Sequence, residues 1–338
     1  MSKDKDFEKI KKLFSVEGSE NQQLINALYG TSPYHTTSLP QLNDDDKIHV
    51  FFTRPDLNLS NANIYRDRQS AGLDNGKDTL QHYARLLLDP KLNSVEFMDI
   101  VDDQSPFMSV FSNSLDTLSG FPDIVMESWL SRPGMRKEQF GYADGQSRIY
   151  YSFDLDATFT NIVNEPIPTI ISTWMNYMSN VREGIFTPHI HNFASRRIDY
   201  MTGIWVIVTN KNNKIKKIAK TMGYPIADPK GRYFNFTRME SKLNEGKKIN
   251  IRFKCYGVDY NDPLLMLEFN SLMMAYNTNI RESILNNKND IVEVPERYKT
   301  MFKYRGYPLI DLRYNTLEYV IDKDKYKIKD IKDETPNN

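Results

Sequence analysis

Several residue types and patterns are scarce in this sequence, and each shortage excludes a class of protein. The single cysteine, Cys255, permits no disulfide within one chain, which is typical of proteins that fold in a reducing cytosol. The 44 basic and 44 acidic residues cancel to a net charge of zero, whereas dedicated nucleic-acid binders usually carry a basic excess. The charged stretch Met1–Lys12 predicts no secretory signal, and apolar runs such as Ile204–Val208 are far shorter than a membrane span. We therefore expect a protein that neither enters a membrane nor binds DNA specifically.

The sequence motifs of common enzyme classes are absent as well. There is no P-loop, no G-x-G-x-x-G, no H-E-x-x-H and no G-x-S-x-G pattern. Five histidines are few for a hydrolase of this size. Cys255 falls on the apolar side of an alternating segment, which favours a buried, inert thiol over a nucleophile. We therefore expect no catalytic residue, no cofactor and no bound metal.

One histidine pair is the strongest metal-like pattern. On a strand, His189 and His191 would share a face and both could ligate Zn. A third ligand would have to come from elsewhere in the chain, so a polar turn between two elements is the favoured interpretation. A metal-dependent enzyme that uses His189, His191 and a carboxylate remains the less favoured alternative.

Aromatic side chains are abundant, with 20 Tyr and 18 Phe, and such residues suit packed sheets and subunit interfaces. Composition divides the chain into three regions. Residues 1–119 are loop-rich with short helices, residues 120–270 hold the most regular patterns, and residues 271–338 form an extension.

The two outer regions contain few regular segments. In the first, helices are predicted over Asp6–Phe14 and Thr79–Leu88, a loop over Thr31–Asp46 and a strand over Lys47–Thr53. Around and after residue 270, the predicted elements are a helix and two short strands: Leu264–Asn279, Tyr307–Arg313 and Thr316–Ile321.

The middle region contains two segments with strict alternation of apolar and polar residues, Ile149–Phe159 and Ile249–Tyr256. A period of two predicts strands with one buried and one hydrated face. If the strands pair, acidic side chains of the first face basic ones of the second: Asp154 and Asp156, Arg252 and Lys254. Paired carboxylates also occur in glycoside hydrolysis, but a solvated strand face is the favoured interpretation of the two aspartates.

A strong amphipathic helix separates the first of these strands from a third, more apolar one at Asp199–Val208. Pro166 and Pro168 mark the start of the helix and Gly184 marks its end. Its apolar residues fall at helical spacing: Ile167, Ile170, Ile171, Trp174, Met175, Met178 and Val181. The order strand, helix, strand, turn, strand predicts an α+β fold, in which the helix lies on a mostly antiparallel sheet with Ile167, Ile171, Trp174 and Met178 as its core face.

The middle region resembles the tail-tube proteins of contractile-tail phages and the related Hcp ring proteins of type VI secretion. In that family an alternating strand, a helix with a Trp, a second strand, a polar hairpin, a Gly-aromatic-Pro corner and a last alternating strand follow in order. The matching pieces are Tyr150–Thr160, Pro168–Val181 with Trp174, Ile198–Thr209, Asn210–Lys214, Ile215–Thr221, Gly223-Tyr224-Pro225 and Lys248–Gly257.

Two features depart from the family pattern. The chain is much longer than a simple tube protein, and Ile226-Ala227-Asp228-Pro229 follows the corner in place of a small and apolar pair. The additional length points to a specialised subunit of the baseplate, tail tip or tail terminus as much as to the repeating tube.

The resemblance implies a non-enzymatic virion protein with a tube-type sheet or barrel. Copies would form a homo-hexameric ring, joined edge to edge around a channel, with the helix Pro168–Val181 bracing it outside. Asp154, Asp156, Arg252 and Lys254 would be channel-lining or inter-subunit residues, and an acidic lining would let viral DNA slide through without specific binding. Other tail or baseplate proteins would be partners, and assembly would take place in the host bacterial cytoplasm. A neck, tail-terminator or capsid-associated protein is the alternative.

Overall fold

The computed structural model describes residues 46–74, 76, 79–89, 91–92, 104–146, 151–195, 197–227, 231, 248–286, 291–294 and 306–322. Three sequence predictions lie wholly or mostly outside these residues: the helix Asp6–Phe14, the loop Thr31–Asp46 and the charged tail from Lys323. None of the described helices is long and apolar enough to cross a membrane.

The described residues form an α+β fold. The strands are β1 Lys47–Phe52, β2 Leu115–Ser119, β3 Met126–Leu130, β4 Gly141–Gln146, β5 Ser152–Thr160, β6 Thr202–Thr209, β7 Ile215–Pro225, β8 Lys248–Tyr260, β9 Ile291–Glu293, β10 Tyr307–Asp311 and β11 Thr316–Asp322. The helices are α1 Asn61–Ile64, α2 Leu80–Leu88, α3 Ser109–Ser114, α4 Pro166–Arg182, α5 Ile190–Ser195, α6 Leu264–Tyr276 and α7 Thr278–Asn286, with a 3₁₀ turn at Ser70–Asp74.

A six-stranded sheet in the order β1-β6-β7-β8-β5-β2 forms the centre of the fold. Every neighbouring pair is antiparallel, and the sheet curls into a half-barrel. A three-stranded sheet, β10-β11-β9, and a two-stranded ribbon, β3-β4, complete the strands. The predicted fold class is therefore confirmed, with an open half-barrel at its centre.

The alternation predicted for the two middle strands is confirmed along β5 and β8. On β5, Phe153, Leu155, Ala157 and Phe159 are buried while Asp156 between them is exposed. The residues that alternate with Arg252 on β8 are buried in the same way. Because the period matches the pleat, the two strands give one apolar face and one hydrated face.

Helix α4 covers the apolar face of this sheet. Ile167, Ile171 and Trp174 are buried in one core with β5 and β8, and Met178 packs at its margin. The Trp174 indole Nε1 donates a hydrogen bond to the Tyr200 carbonyl at 2.9 Å, so its polar atom is satisfied inside the core. Each large apolar side chain buried here stabilises the fold by about 1.5–3 kcal/mol.

Strand β6 and the last two residues of β1 are buried on both faces, because a second core covers the side opposite α4. Phe52 and Ile204 point into the α4 core, whereas Phe51 and Trp205 point into a core shared with α6 and the small sheet. The Asn270 side chain of α6 ties that layer together: its Nδ2 donates to the Ile310 carbonyl at 2.7 Å and its Oδ1 accepts from the Ile310 amide at 2.9 Å.

The structure differs from the sequence expectation at the Gly-Tyr-Pro segment. In place of a corner, β7 continues through Gly223 to Pro225 and pairs with β8 along this stretch. A Cβ at Gly223 would lie 2.6 Å from the Cys255 Sγ, so glycine is needed for the close approach of the two strands.

Both edge strands of the central sheet, β1 and β2, come from the region before residue 120. Helix α6 likewise runs across residue 270. The sheet is thus not confined to residues 120–270, and the division of the chain into three regions stays a prediction.

Candidate assembly surfaces

The hydrated face of β5 and β8 carries a ladder of ion pairs. Lys254 lies opposite Asp154, with Nζ to Oδ1 at 2.8 Å, and Arg252 lies opposite Asp156, with Nε to Oδ1 also at 2.8 Å. The antiparallel register places each carboxylate directly across from a cation, as the sequence pattern indicates.

A third pair extends the ladder to the edge strand β2. Lys248 Nζ lies 2.9 Å from Asp116 Oδ2, and the hydrogen bond from Lys248 holds the pKa of the Asp116 carboxyl below its usual value. The hydrogen bond to Asp156 raises the pKa of Arg252, so this guanidinium stays charged. Acids and bases therefore balance along this face, in contrast to the acidic lining expected from Asp154 and Asp156. The channel-lining or inter-subunit role of these residues stays a prediction.

The sheet ends in two strands, β1 and β2, each paired on one side only within the described residues. On β1, the Thr53 amide bonds to the Gly203 carbonyl of β6, while the Phe52 carbonyl accepts from the Met108 amide on the far side. Backbone groups alternate in direction along a strand. The amides of Ile48 and Val50 therefore point away from β6, on the same side as the Phe52 carbonyl. The Ile48 side chain is 64% exposed.

The β3–β4 ribbon projects from the body of the protein. All five residues of β3 are exposed, and the Trp129 and Tyr142 rings pair across the strands with centroids 6.0 Å apart. A two-stranded ribbon is at best marginally stable alone in water. It also displays an unusual set of exposed large apolar side chains: Ile124, Val125, Met126, Trp129, Leu130, Met135, Phe140 and Tyr142.

Sequence patterns had not identified this ribbon. The available signal is Pro133-Gly134, a turn dipeptide, between two short segments rich in aromatic and apolar residues. The pattern can predict a hairpin, but not that both faces of the hairpin remain in solvent.

The strand geometry on which the metal-site alternative depended is wrong. His189 precedes α5 and His191 lies in its first turn. His191 Nε2 is 2.7 Å from Asp56 Oδ2. His189 Nε2 lies 3.2 Å from the Leu57 carbonyl and 3.4 Å from Oδ1 of the buried Asp89. These contacts tie α5 to two distant segments, and the described residues contain no cluster of three or more side chains placed to hold a metal ion.

The core beneath α4 buries a thiol and a hydrogen-bonded Tyr–Asp pair. Cys255 is buried as expected, and burial raises the pKa of its thiol to about 12, which keeps it protonated and unreactive. Asp199, just before β6, accepts a hydrogen bond from the Tyr177 hydroxyl of α4. The sequence did not point to this pair, because its members belong to different elements and neither forms part of a motif.

Comparison with known proteins gives one result that covers nearly the whole chain. A model of the protein family described as "putative phage tail tube protein" matches residues 3–335. No curated protein sequence gives a significant match.

Proposed function

The chain belongs to the phage tail tube protein family, and on that premise we propose that its copies join edge to edge into a closed ring around a conduit for DNA. The family makes it a structural component of the phage tail and hence of the virion, and a family of this kind is generally non-enzymatic. The finer proposal is a homo-hexameric subunit of the tail tube or of its baseplate end.

The observation that carries the proposal is the half-barrel whose end strands, β1 and β2, each pair with only one other strand of the sheet within the described residues. An unpaired strand edge is a template for another strand, and a ring closes without free edges only if two different edges meet. The outward amides of Ile48 and Val50 on β1 supply donors for the β2 edge of the next copy. Helix α4 covers one side of the sheet and the second core covers the other side over β1 and β6, so the ion-paired part over β5 and β8 is the one left to line the conduit.

The ion pairs fit a conduit that DNA crosses without being held. Arg252 and Lys254 are each engaged by a carboxylate at 2.8 Å. A cation already paired in this way offers phosphate much less net attraction than a free one. The lining would be hydrated and balanced in charge, and passing DNA would meet no chain of free cations. Assembly with other tail proteins, in the host bacterial cytoplasm, is part of the same proposal.

The decisive test removes one edge donor and leaves the fold intact. Ile48→Pro deletes an amide that points away from β6, at a position where an edge strand tolerates proline. We expect wild-type protein to form rings with a central pore in negative-stain images, and Ile48→Pro to sediment as a folded monomer with an unchanged circular dichroism spectrum.

Ile48→Thr is the matched control, because it removes the apolar side chain but keeps the amide. It should still form rings. Rings formed by Ile48→Pro would contradict edge pairing, as would a wild-type chain that stays monomeric at every concentration. Rings of another symmetry that never extend into tubes would favour a neck or tail-terminator role.

A further inference from the structure

We propose that the tip of the β3–β4 ribbon docks on a second copy of this chain, at an apolar patch where α6 begins. This inference rests on the proposed self-assembly and names a second, different contact within it. The ribbon tip is residues 131–139. The receiving patch is centred on Leu264 and Leu267.

The tip has the chemistry of a docking element. Met135 is fully exposed, and it is flanked by three cations, Arg132, Arg136 and Lys137, with Glu138 as the one acid between residues 131 and 139. A backbone hydrogen bond from the Gly134 amide to the Glu138 carbonyl, at 2.9 Å, gives the tip a defined shape. An apolar side chain inside a ring of basic ones fits a partner that is apolar at its centre and acidic at its rim.

The start of α6 offers that complement. Leu264 is 53% exposed and Leu267 is 36% exposed, one turn apart on the outer face of the helix. Three acids lie close to them along the chain: Asp259, Asp262 and Glu268. Glu268 bonds to Lys220, and Lys220 is also the cross-strand partner of Asp259, so two of the three acids share one cation.

The position of the ribbon root explains why the receiver is another copy. The Tyr260 hydroxyl donates to the Pro122 carbonyl at 2.7 Å, and the Phe121 and Tyr260 rings lie 6.4 Å apart. The root is therefore beside the end of β8, which leads into the patch. Met135 and Leu264 both remain exposed, so the tip does not cover the patch of its own chain. At about 3.3 Å per extended residue, Met135 lies at most about 40 Å from Asp123.

A second copy that is shifted by the length of the ribbon would place its patch against the ribbon tip of the first copy. The contact is head-to-tail, so it repeats in one direction and extends an array. Edge pairing between β1 and β2 closes a ring, whereas the ribbon contact adds copies along a line. The two contacts use different residues and can be tested separately.

Cysteine trapping tests the contact on full-length chains, because the native Cys255 is buried. Met135→Cys protein is mixed with size-tagged Leu264→Cys protein under mild oxidation, and the mixed disulfide is followed on a non-reducing gel. Tyr314→Cys, an exposed position on the small sheet at 71% exposure, is the matched control. We expect the Leu264 mixture to cross-link at least about tenfold faster than the control. Equal rates would overturn the proposal.

Charge exchange provides the second measurement. Arg136→Glu in the Met135→Cys chain should slow trapping several-fold, and Asp259→Arg in the receiving chain should restore it. Arg313→Glu, an exposed charge reversal elsewhere, should change nothing. Failure to restore trapping would remove the acidic rim from the proposal. Trapping scores pairs of chains, so it can succeed or fail independently of ring formation in the Ile48→Pro test.

Discussion

At the scale of single residues, the buried pair Asp199 and Tyr177 places an ionisable group inside the α4 core. Burial raises the pKa of the Asp199 carboxyl, and burial also raises the pKa of the Tyr177 hydroxyl. The hydrogen bond from the Tyr177 hydroxyl to Asp199 lowers the pKa of this carboxyl, but burial is the larger effect and the pKa stays raised. The pair joins α4 to the segment that enters β6, so its protonation state is coupled to the packing of the helix on the sheet.

This pair gives the fold a pH dependence with a definite sign. Because the folded pKa of Asp199 is raised above the ordinary 3.8, its contribution to stability is fully present below 3.8. It is lost as the pH rises through the folded pKa. Asp199→Asn cannot ionise, so the unfolding free energy of the wild type relative to this variant should fall by about 1.4 kcal/mol per unit of pKa elevation. Urea unfolding at stepped pH measures the difference, and a difference that is flat with pH would count against the assignment.

At the scale of elements, the sequence specifies those segments whose period is imposed by one continuous core. The alternation around Asp154 and Arg252 predicted both long strands and their facing charges, and the apolar spacing around Trp174 predicted α4. The predicted strand Lys47–Thr53 corresponds to β1, and the predicted helix Thr79–Leu88 corresponds to α2.

Other elements depend on contacts that local patterns do not contain. The edge strand β2 has only partial alternation, because it is half exposed and carries a bulge between Leu115 and Thr117. The ribbon around Trp129 has apolar residues on both faces, so no single buried face gives it a period. For the candidate site, the facing charges were predictable. The outer edges of the sheet and the projecting ribbon tip were not predictable, because no local pattern in the sequence shows which surfaces stay uncovered in the fold.

The packing of α4 on the sheet predicts a graded response to truncation. Ile171 is fully buried against the strands, so Ile171→Ala should lower the unfolding free energy by about 2–5 kcal/mol through lost burial and the cavity left behind. Met178 lies at the margin of the same core, and Met178→Ala should cost clearly less. Chemical denaturation of the two variants gives the comparison. Equal losses would show that α4 does not pack as described.

At the scale of the whole molecule, the two faces of the half-barrel differ in chemical character. One face carries the α4 core that stabilises each copy. The other is covered by the second core over β1 and β6 and carries balanced ion pairs over β2, β5 and β8. Exposed pairs of this kind contribute little to stability. Their value in the proposed ring is therefore the electrostatic character of the conduit.

Changing that character should alter DNA passage and leave assembly intact. Asp154→Lys with Asp156→Lys makes the lining basic, and genome ejection from reconstituted virions should slow by about an order of magnitude at low salt, because free cations attract phosphate. The control exchanges the partners, with Lys254→Asp and Arg252→Asp added, and restores the balance of charge. Ejection rates that are equal for both at every ionic strength would exclude a lumen position.

The open half-barrel also has a consequence for the newly made chain. In the proposed assembly, a copy that has not met its neighbours exposes, among its described residues, two end strands of the sheet and an apolar ribbon, the features that promote irregular aggregation of β proteins. Productive incorporation and precipitation thus compete for the same surfaces, and both accelerate with crowding. The rate at which chains are synthesised, relative to the rate at which they join the assembly, is then as important as the total amount synthesised. Synthesis that does not outpace assembly protects the yield of finished particles.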